Sequence, residues 1–250
     1  MQIASRMSTW GKGGDPFKSW YPRWGTDSIV HLYNGIYNDG PALPHNSSAN
    51  TWTDLINGEQ LTRISSSSSR NLIWDDNAIC FDSLSRTITT QIDLSALSEF
   101  TFNCICYFDT YFGYLISYYG PQTTNETLLV QPYGFYEGAA IGLASTNNTW
   151  ADTRLNYAPS TTDFSITYES SGSIKIYVNG QVVRTVSNSG CIDKFRQTRI
   201  LALGGRFYDG TYSPQGSKVY GIALYNVVLT SDEIASLYQA NIRGYNLSNT

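Results

Sequence analysis

Lys218–Asn241, KVYGIALYNVVLTSDEIASLYQAN, joins an alternating strand to a capped helix, and the fold turns on how it is read. Val219, Gly221, Ala223 and Tyr225 fall on one face of an extended chain, with Tyr220, Ile222 and Leu224 on the other. Neither face is polar, so the strand is expected to be buried on both sides. Thr230 then has the position and chemistry of an N-cap. Its hydroxyl can accept from a first-turn N–H, while Glu233, three residues on, can accept from the cap's own N–H. Leu229 and Ile234 are spaced to close a hydrophobic staple over that turn. The spacing predicts a helix over 231–240 that lays Ile234, Leu237 and Tyr238 on the body of the protein.

Upstream, Tyr177-Val178-Asn179-Gly180-Gln181-Val182 sets Asn-Gly between two alternating runs. Both central residues of a type I′ turn need positive φ, which Asn and Gly tolerate, so a two-residue β-hairpin is predicted. The chain of 250 residues is rich in Tyr, Thr, Ser, Gly and Asn and only 14% charged, a composition that suits many short strands joined by turns. A net charge of −4 without a basic block argues against nucleic acid as a partner. No apolar run approaches the ~18 residues that a bilayer span needs.

The ending Tyr225-Asn226, Leu229-Thr230, Asp232-Glu233-Ile234, Leu237-Tyr238 and Ala240-Asn241 resembles the close of laminin-G-like domains of the concanavalin A-like lectin/glucanase superfamily. Ser165–Ser187 is similar to that family's central hairpin, Ile200–Gly205 to the strand after it and Ser98–Cys104 to the strand before it. Val30–Leu55 resembles the opening of bacterial and phage members. The resemblance implies an all-β fold: a concanavalin A-like jelly-roll β-sandwich of two antiparallel sheets with one short C-terminal helix. It divides the chain into an aromatic N-terminal arm (1–27), the sandwich (28–243) and a short tail (244–250).

Cys104 and Cys106 lie two apart on one strand, a spacing that a disulfide seldom bridges. A bond from Cys80 or Cys191 to either stays open, but no disulfide framework or zinc spacing is visible, so four reduced thiols are expected. The first residues lack the apolar core of a signal peptide. A lectin-like fold without an evident export route points to a bacteriophage virion structural or decoration protein, assembled in the host cytoplasm and released by lysis. The alternative is a carbohydrate-binding adhesion module of a secreted or cell-surface bacterial protein from which a leader has been removed.

Trp10, Phe17, Trp20, Tyr21 and Trp24 stand among glycines and prolines with no helical or strand period. Disordered tails are depleted in aromatics, so this stretch either packs on its own sandwich or docks as an arm into other virion proteins or copies of itself. The arm is the expectation, and with it an oligomer or larger assembly.

Glucanases on this fold need carboxylates alternating along one strand, and no E-x-D-x-E pattern occurs. His31 and His45 have no serine or cysteine nucleophile motif near them. A catalytic site is therefore not expected, and a divergent glycoside hydrolase is the third reading. For cell-surface glycans, exposed aromatic rings with amides and carboxylates beside them are the expected chemistry. Trp150, flanked by Asn147, Asn148 and Asp152, leads that set, with Tyr111 and Tyr136; the competing role for such aromatics is sandwich core. The family often carries calcium at the rim of its sandwich. Asp75, Asp76, Asn77 and Asp82 are the candidate calcium ligands here, against the plainer reading of Asp and Asn as turn formers.

Overall fold

The Asn179-Gly180 turn closes as a primed turn must, with φ of 50° at Asn179 and 78° at Gly180. Around it the computed structural model describes residues 17–40, 45–64, 72–75, 77–81, 86–88, 93–108, 115–119, 126–131, 139–144, 150–155, 160–188, 190–197, 200–204 and 216–247. In chain order the strands are β1 (Ile29–Asn34), β2 (Thr51–Thr53), β3 (Gln60–Ile64), β4 (Ile73–Asp75), β5 (Ala78–Cys80), β6 (Arg86–Ile88), β7 (Phe100–Phe108), β8 (Ile116–Tyr119), β9 (Glu126–Gln131), β10 (Ala139–Ala144), β11 (Trp150–Leu155), β12 (Ser160–Tyr168), β13 (Ser173–Val178), β14 (Gln181–Ser187), β15 (Ile200–Leu203) and β16 (Lys218–Tyr225). A 3₁₀ turn (Gly35–Tyr37), a short helix α1 (Cys191–Phe195) and a longer α2 (Ser231–Gly244) are the other elements among the described residues.

The strands form two antiparallel sheets. The first runs β14-β13-β12-β7-β16-β5-β4 with β1 also paired to β16, and the second runs β11-β10-β9-β8-β15-β6-β3-β2. Phe102, Cys104, Phe164 and Ile166 of the first sheet meet Ile116, Leu128, Leu201 and Leu203 of the second in one buried core. This is an all-β sandwich, as the sequence implies.

The first sheet is buried on its outer face too. Leu32, Ala223 and Tyr225 pack there against Phe17, Tyr21, Ile234 and Leu237, so α2 and the N-terminal segment form a third layer. The cap reads as expected: Thr230 accepts from the Glu233 N–H, and the Glu233 carboxylate accepts from the Thr230 N–H. Leu229 and Ile234 of the staple are both buried. The helix runs on to Gly244, past the predicted Ala240, because Ala240, Asn241 and Ile242 also find buried places on the sheet.

The alternation read along β16 needs one correction. A register shift between Val219 and Gly221 inserts a bulge at Tyr220. One extra residue exchanges the faces beyond it. Val219 therefore shares the inter-sheet core with Ile222 and Leu224, while Ala223 and Tyr225 point to the helical layer.

Candidate functional site

Residues 17–27 are part of the folded body. Trp20 N–H and Tyr21 N–H both donate to the Phe17 carbonyl at 2.9 Å, and Trp24 N–H donates to Tyr21 O at 3.2 Å. These turns bring Phe17 and Tyr21 to one side, where both are buried, and leave Trp20 and Trp24 half-buried beside them. Phe17 lies 5.1 Å from Trp24 and 4.9 Å edge-on to Tyr37, and Trp20 stacks on Tyr21 with ring centroids 5.5 Å apart. The expectation of a partner-docking arm is therefore corrected for Phe17 and Tyr21, which are buried in their own fold, while Trp20 and Trp24 keep part of their rings exposed. Phe17 and Tyr21 cover the part of the sandwich's outer face that α2 leaves open, with Trp20 and Trp24 packed half-buried against them. Trp10 lies outside the described residues.

Polar contacts fix the segment in place. Trp20 Nε1 donates to Asn241 Oδ1 of α2 at 2.7 Å, and Asn34 Nδ2 donates to the Tyr21 hydroxyl at 2.9 Å. Burial pushes the Tyr21 phenol well up, so it stays a neutral hydrogen-bonding group. Arg23, at φ 57°, turns its guanidinium onto Glu233 with contacts of 2.9 and 3.3 Å. The Arg23 hydrogen bond, followed by the N–H of the cap, holds the Glu233 carboxyl below its usual range.

Between this segment and α2 runs a groove of about 440 Å³. Trp20 and Trp24 offer ring surface in it, Arg23 and Glu233 form a fixed charged pair, and Asp232 and Ser236 stand one helical turn apart on α2. Lys18 and Ser19 also line it. Indole surface with hydroxyl, carboxylate and ammonium groups around it is the chemistry with which a sugar's C–H face and hydroxyls are recognised. Nothing in the spacing of residues 18–24 and 232–236 signals this meeting; only the shared apolar partners of the two segments bring it about.

The structure brings together few of the residues proposed from sequence. Tyr111, Tyr136, Asn147 and Asn148 lie outside the described residues, as do Asp76 and Asp82. Trp150 and Asp152 sit on β11 opposite Ala144 and Gly142, and their side chains are likewise outside what is described. Asp75 ends β4, paired with Ala78 of β5, and Asn77 takes φ 64° just before that strand. The Asp75 carboxylate meets Lys218 Nζ at 2.6 Å. Metal-donor groups gather elsewhere, at His31, Asp54 and Glu59. All four cysteines are free thiols; Cys104, Cys106 and Cys191 are buried and Cys80 is half-buried.

No protein-family model matches this sequence, and no curated protein matches it either. Solved structures do share its fold. Domain 4 of AbnA, an extracellular GH43 arabinanase of Geobacillus stearothermophilus solved with arabinotriose, is 14% identical, with a TM-score of 0.59 over 85% of this chain and 98% of that domain. Trypanosoma rangeli sialidase, solved with sialic acid, is 15% identical with a TM-score of 0.61 over 86% of this chain. The binding domain of botulinum neurotoxin DC, solved with rat synaptotagmin II, is 11% identical with a TM-score of 0.56 over 86%. This chain spans 33% of the sialidase and 52% of the neurotoxin domain. At these identities the likeness shows a shared β-sandwich fold.

Proposed function

We propose that this protein is a non-catalytic carbohydrate-binding module that takes a neutral oligosaccharide in the groove between residues 18–24 and α2. The observation that carries the reading is the pair of half-buried indoles, Trp20 and Trp24, beside the Asp232 and Ser236 side chains. Trp20 is held by Asn241 and by its stack on Tyr21, so its ring is ordered before any ligand arrives and little entropy is lost on binding. A carboxylate at Asp232 and the overall charge of −4 disfavour acidic sugars. AbnA domain 4, a sandwich of the same fold and nearly the same extent, was solved with a neutral trisaccharide, which supports the class of ligand.

Non-catalysis is supported by the carboxylates in the groove. Hydrolysis of a glycoside needs two carboxyl groups facing one bond, one able to give a proton and one to accept or attack. Glu233 is committed to Arg23 and to the helix cap, and Asp232 beside it in sequence leaves α2 in a different direction.

The setting we propose is the surface of a virus particle, resting on the likeness of the chain's opening and close to phage laminin-G-like proteins. Free thiols, three of them buried, suit a protein that folds in a reducing compartment. Co-purification with particles after lysis supports this setting, and recovery only from culture medium without particles counts against it.

Titration with a panel of neutral oligosaccharides, followed by tryptophan fluorescence and calorimetry, tests the groove. A binder should emerge whose affinity falls at least tenfold in Trp24→Ala, with no release of reducing ends on long incubation. Binding that is unchanged in both Trp24→Ala and Ser236→Trp, the second filling the groove, places the sugar site elsewhere. No binding to any member of a broad panel overturns the carbohydrate reading.

A further inference from the structure

Two carboxylates converge on one imidazole nitrogen at the β1 edge of the first sheet. His31 comes from β1, and Asp54 and Glu59 come from the two ends of the loop joining β2 to β3. His31 Nδ1 lies 2.6 Å from Asp54 Oδ2 and 4.0 Å from Glu59 Oε2. The three donor atoms lie within 4.8 Å of one another. The His31 and Asp54 side chains are 4% and 0% exposed, so this is a site in the body of the protein and not a solvated acidic patch.

The surroundings aim these groups. Asp54 Oδ1 accepts from Leu32 N–H at 3.1 Å and from Ile56 N–H at 2.8 Å, which turns Oδ2 toward His31. Asn57 Oδ1 accepts from Glu59 N–H at 3.0 Å, which fixes the amide so that Nδ2 faces His31 Nδ1 at 3.1 Å. The imidazole nitrogen therefore meets an N–H donor on one side and carboxylates on the other. A protonated Nδ1 serves Asp54 and opposes Asn57; a bare Nδ1 accepts from Asn57 and opposes Asp54. Glu59 Oε2, meanwhile, is buried with no hydrogen-bond partner. A cation answers a bare nitrogen and two carboxylate oxygens together, with the Asn57 amide turned away from Nδ1.

We propose that His31 Nδ1, Asp54 Oδ2 and Glu59 Oε2 bind a zinc ion. One imidazole and two carboxylates, with a water as fourth ligand, is a donor set that zinc takes, whereas calcium takes six to eight oxygens. Zinc–ligand bonds of about 2.0–2.2 Å set neighbouring tetrahedral ligands roughly 3.3 Å apart. His31 and Asp54 must then separate a little and Glu59 must close in. Glu59 is free to do so, because its side chain is 33% exposed while its backbone is tied to Asp54 and Asn57. The site is independent of the sugar groove and does not rest on that reading.

The test is calorimetric titration of the chelator-stripped chain with zinc chloride, alongside thermal unfolding. One zinc should bind per chain and raise the unfolding midpoint by about 3 °C or more at a large excess over the dissociation constant, while calcium chloride should do neither. Glu59→Gln keeps the shape and removes one anionic ligand, so it should fold with a similar metal-free midpoint and bind zinc at least tenfold more weakly. Cobalt in place of zinc should show visible ligand-field bands without the thiolate charge-transfer band that cysteine ligands produce. Cys80→Ser should bind as the parent does. Absence of a zinc response, zinc binding undiminished in Glu59→Gln, or binding lost in Cys80→Ser would each overturn the assignment.

Discussion

Gly244 shows how a single position holds the groove. A Cβ there would collide with the Trp20 indole, and the ring cannot yield easily because Asn241, Tyr21 and Tyr245 hold it from three sides. Gly244→Ala is therefore an overpacking change, in spite of alanine's better helix propensity, and should lower stability by about 1–3 kcal/mol. Denaturant unfolding checks the sign. A gain in stability would mean that Trp20 moves aside freely and is not an ordered platform. At Gly180 a side chain would be resisted twice over, by a φ of 78° and by Ala235 and Tyr238 of α2 just over 3 Å from where its Cβ would stand. The hairpin turn is thereby pinned to the helix, and the reading of Asn179-Gly180 as a local signal captures only half of its constraint.

Among elements, the segment 17–24 carries the largest departure from what its composition implies. Phe17 is fully buried and touches Trp20, Tyr21, Trp24 and Tyr37, so Phe17→Ala should cost about 3–5 kcal/mol. A change within experimental error would restore the docking arm. The capping box and the Asn-Gly turn were legible because their physics lies within four residues of chain. The Tyr220 bulge was not, since it is set by register against β7, nearly 120 residues away in sequence. Self-packing of the aromatic segment was one of two readings that sequence could not decide between: its partners Ala223, Tyr225 and Leu237 lie at the other end of the chain, and the segment has no period to show which side faces inward. His31, Asp54 and Glu59 escaped notice for the same reason, because no motif spacing marks a site closed by strand pairing.

Across the whole molecule one buried network ties both ends of the chain to the sheet. Asp163 of β12 accepts from Asn103 Nδ2 of β7 at 2.8 Å and from Asn241 Nδ2 of α2 at 2.6 Å, and Asn241 in turn accepts from Trp20. Both partners of the carboxylate are neutral amides, and the phenols of Tyr21, Tyr225 and Tyr245 lie near it without supplying charge. Burial therefore dominates and pushes the Asp163 carboxyl from 3.8 up to about 7. The folded state then holds a proton that the unfolded state has already released. Stability from this group is complete below about pH 4, falls as pH rises toward 7 and is level above it. Glu233 works in the other sense and lower, its depressed carboxyl costing stability only as pH drops through the acid range. Between pH 5 and pH 8 the Asp163 contribution should thus decline by roughly 3 kcal/mol, seen as an unfolding midpoint that falls with rising pH. Because Asn241 links the carboxyl to Trp20, tryptophan emission of the folded protein should titrate over the same range. Replacing Asp163 with Asn should flatten both profiles, at some cost at pH 5 where a second amide faces Asn103 and Asn241. A midpoint that rises from pH 5 to pH 8 in the unaltered protein would show that Asp163 is ionised in the fold and held by a charge the network does not contain.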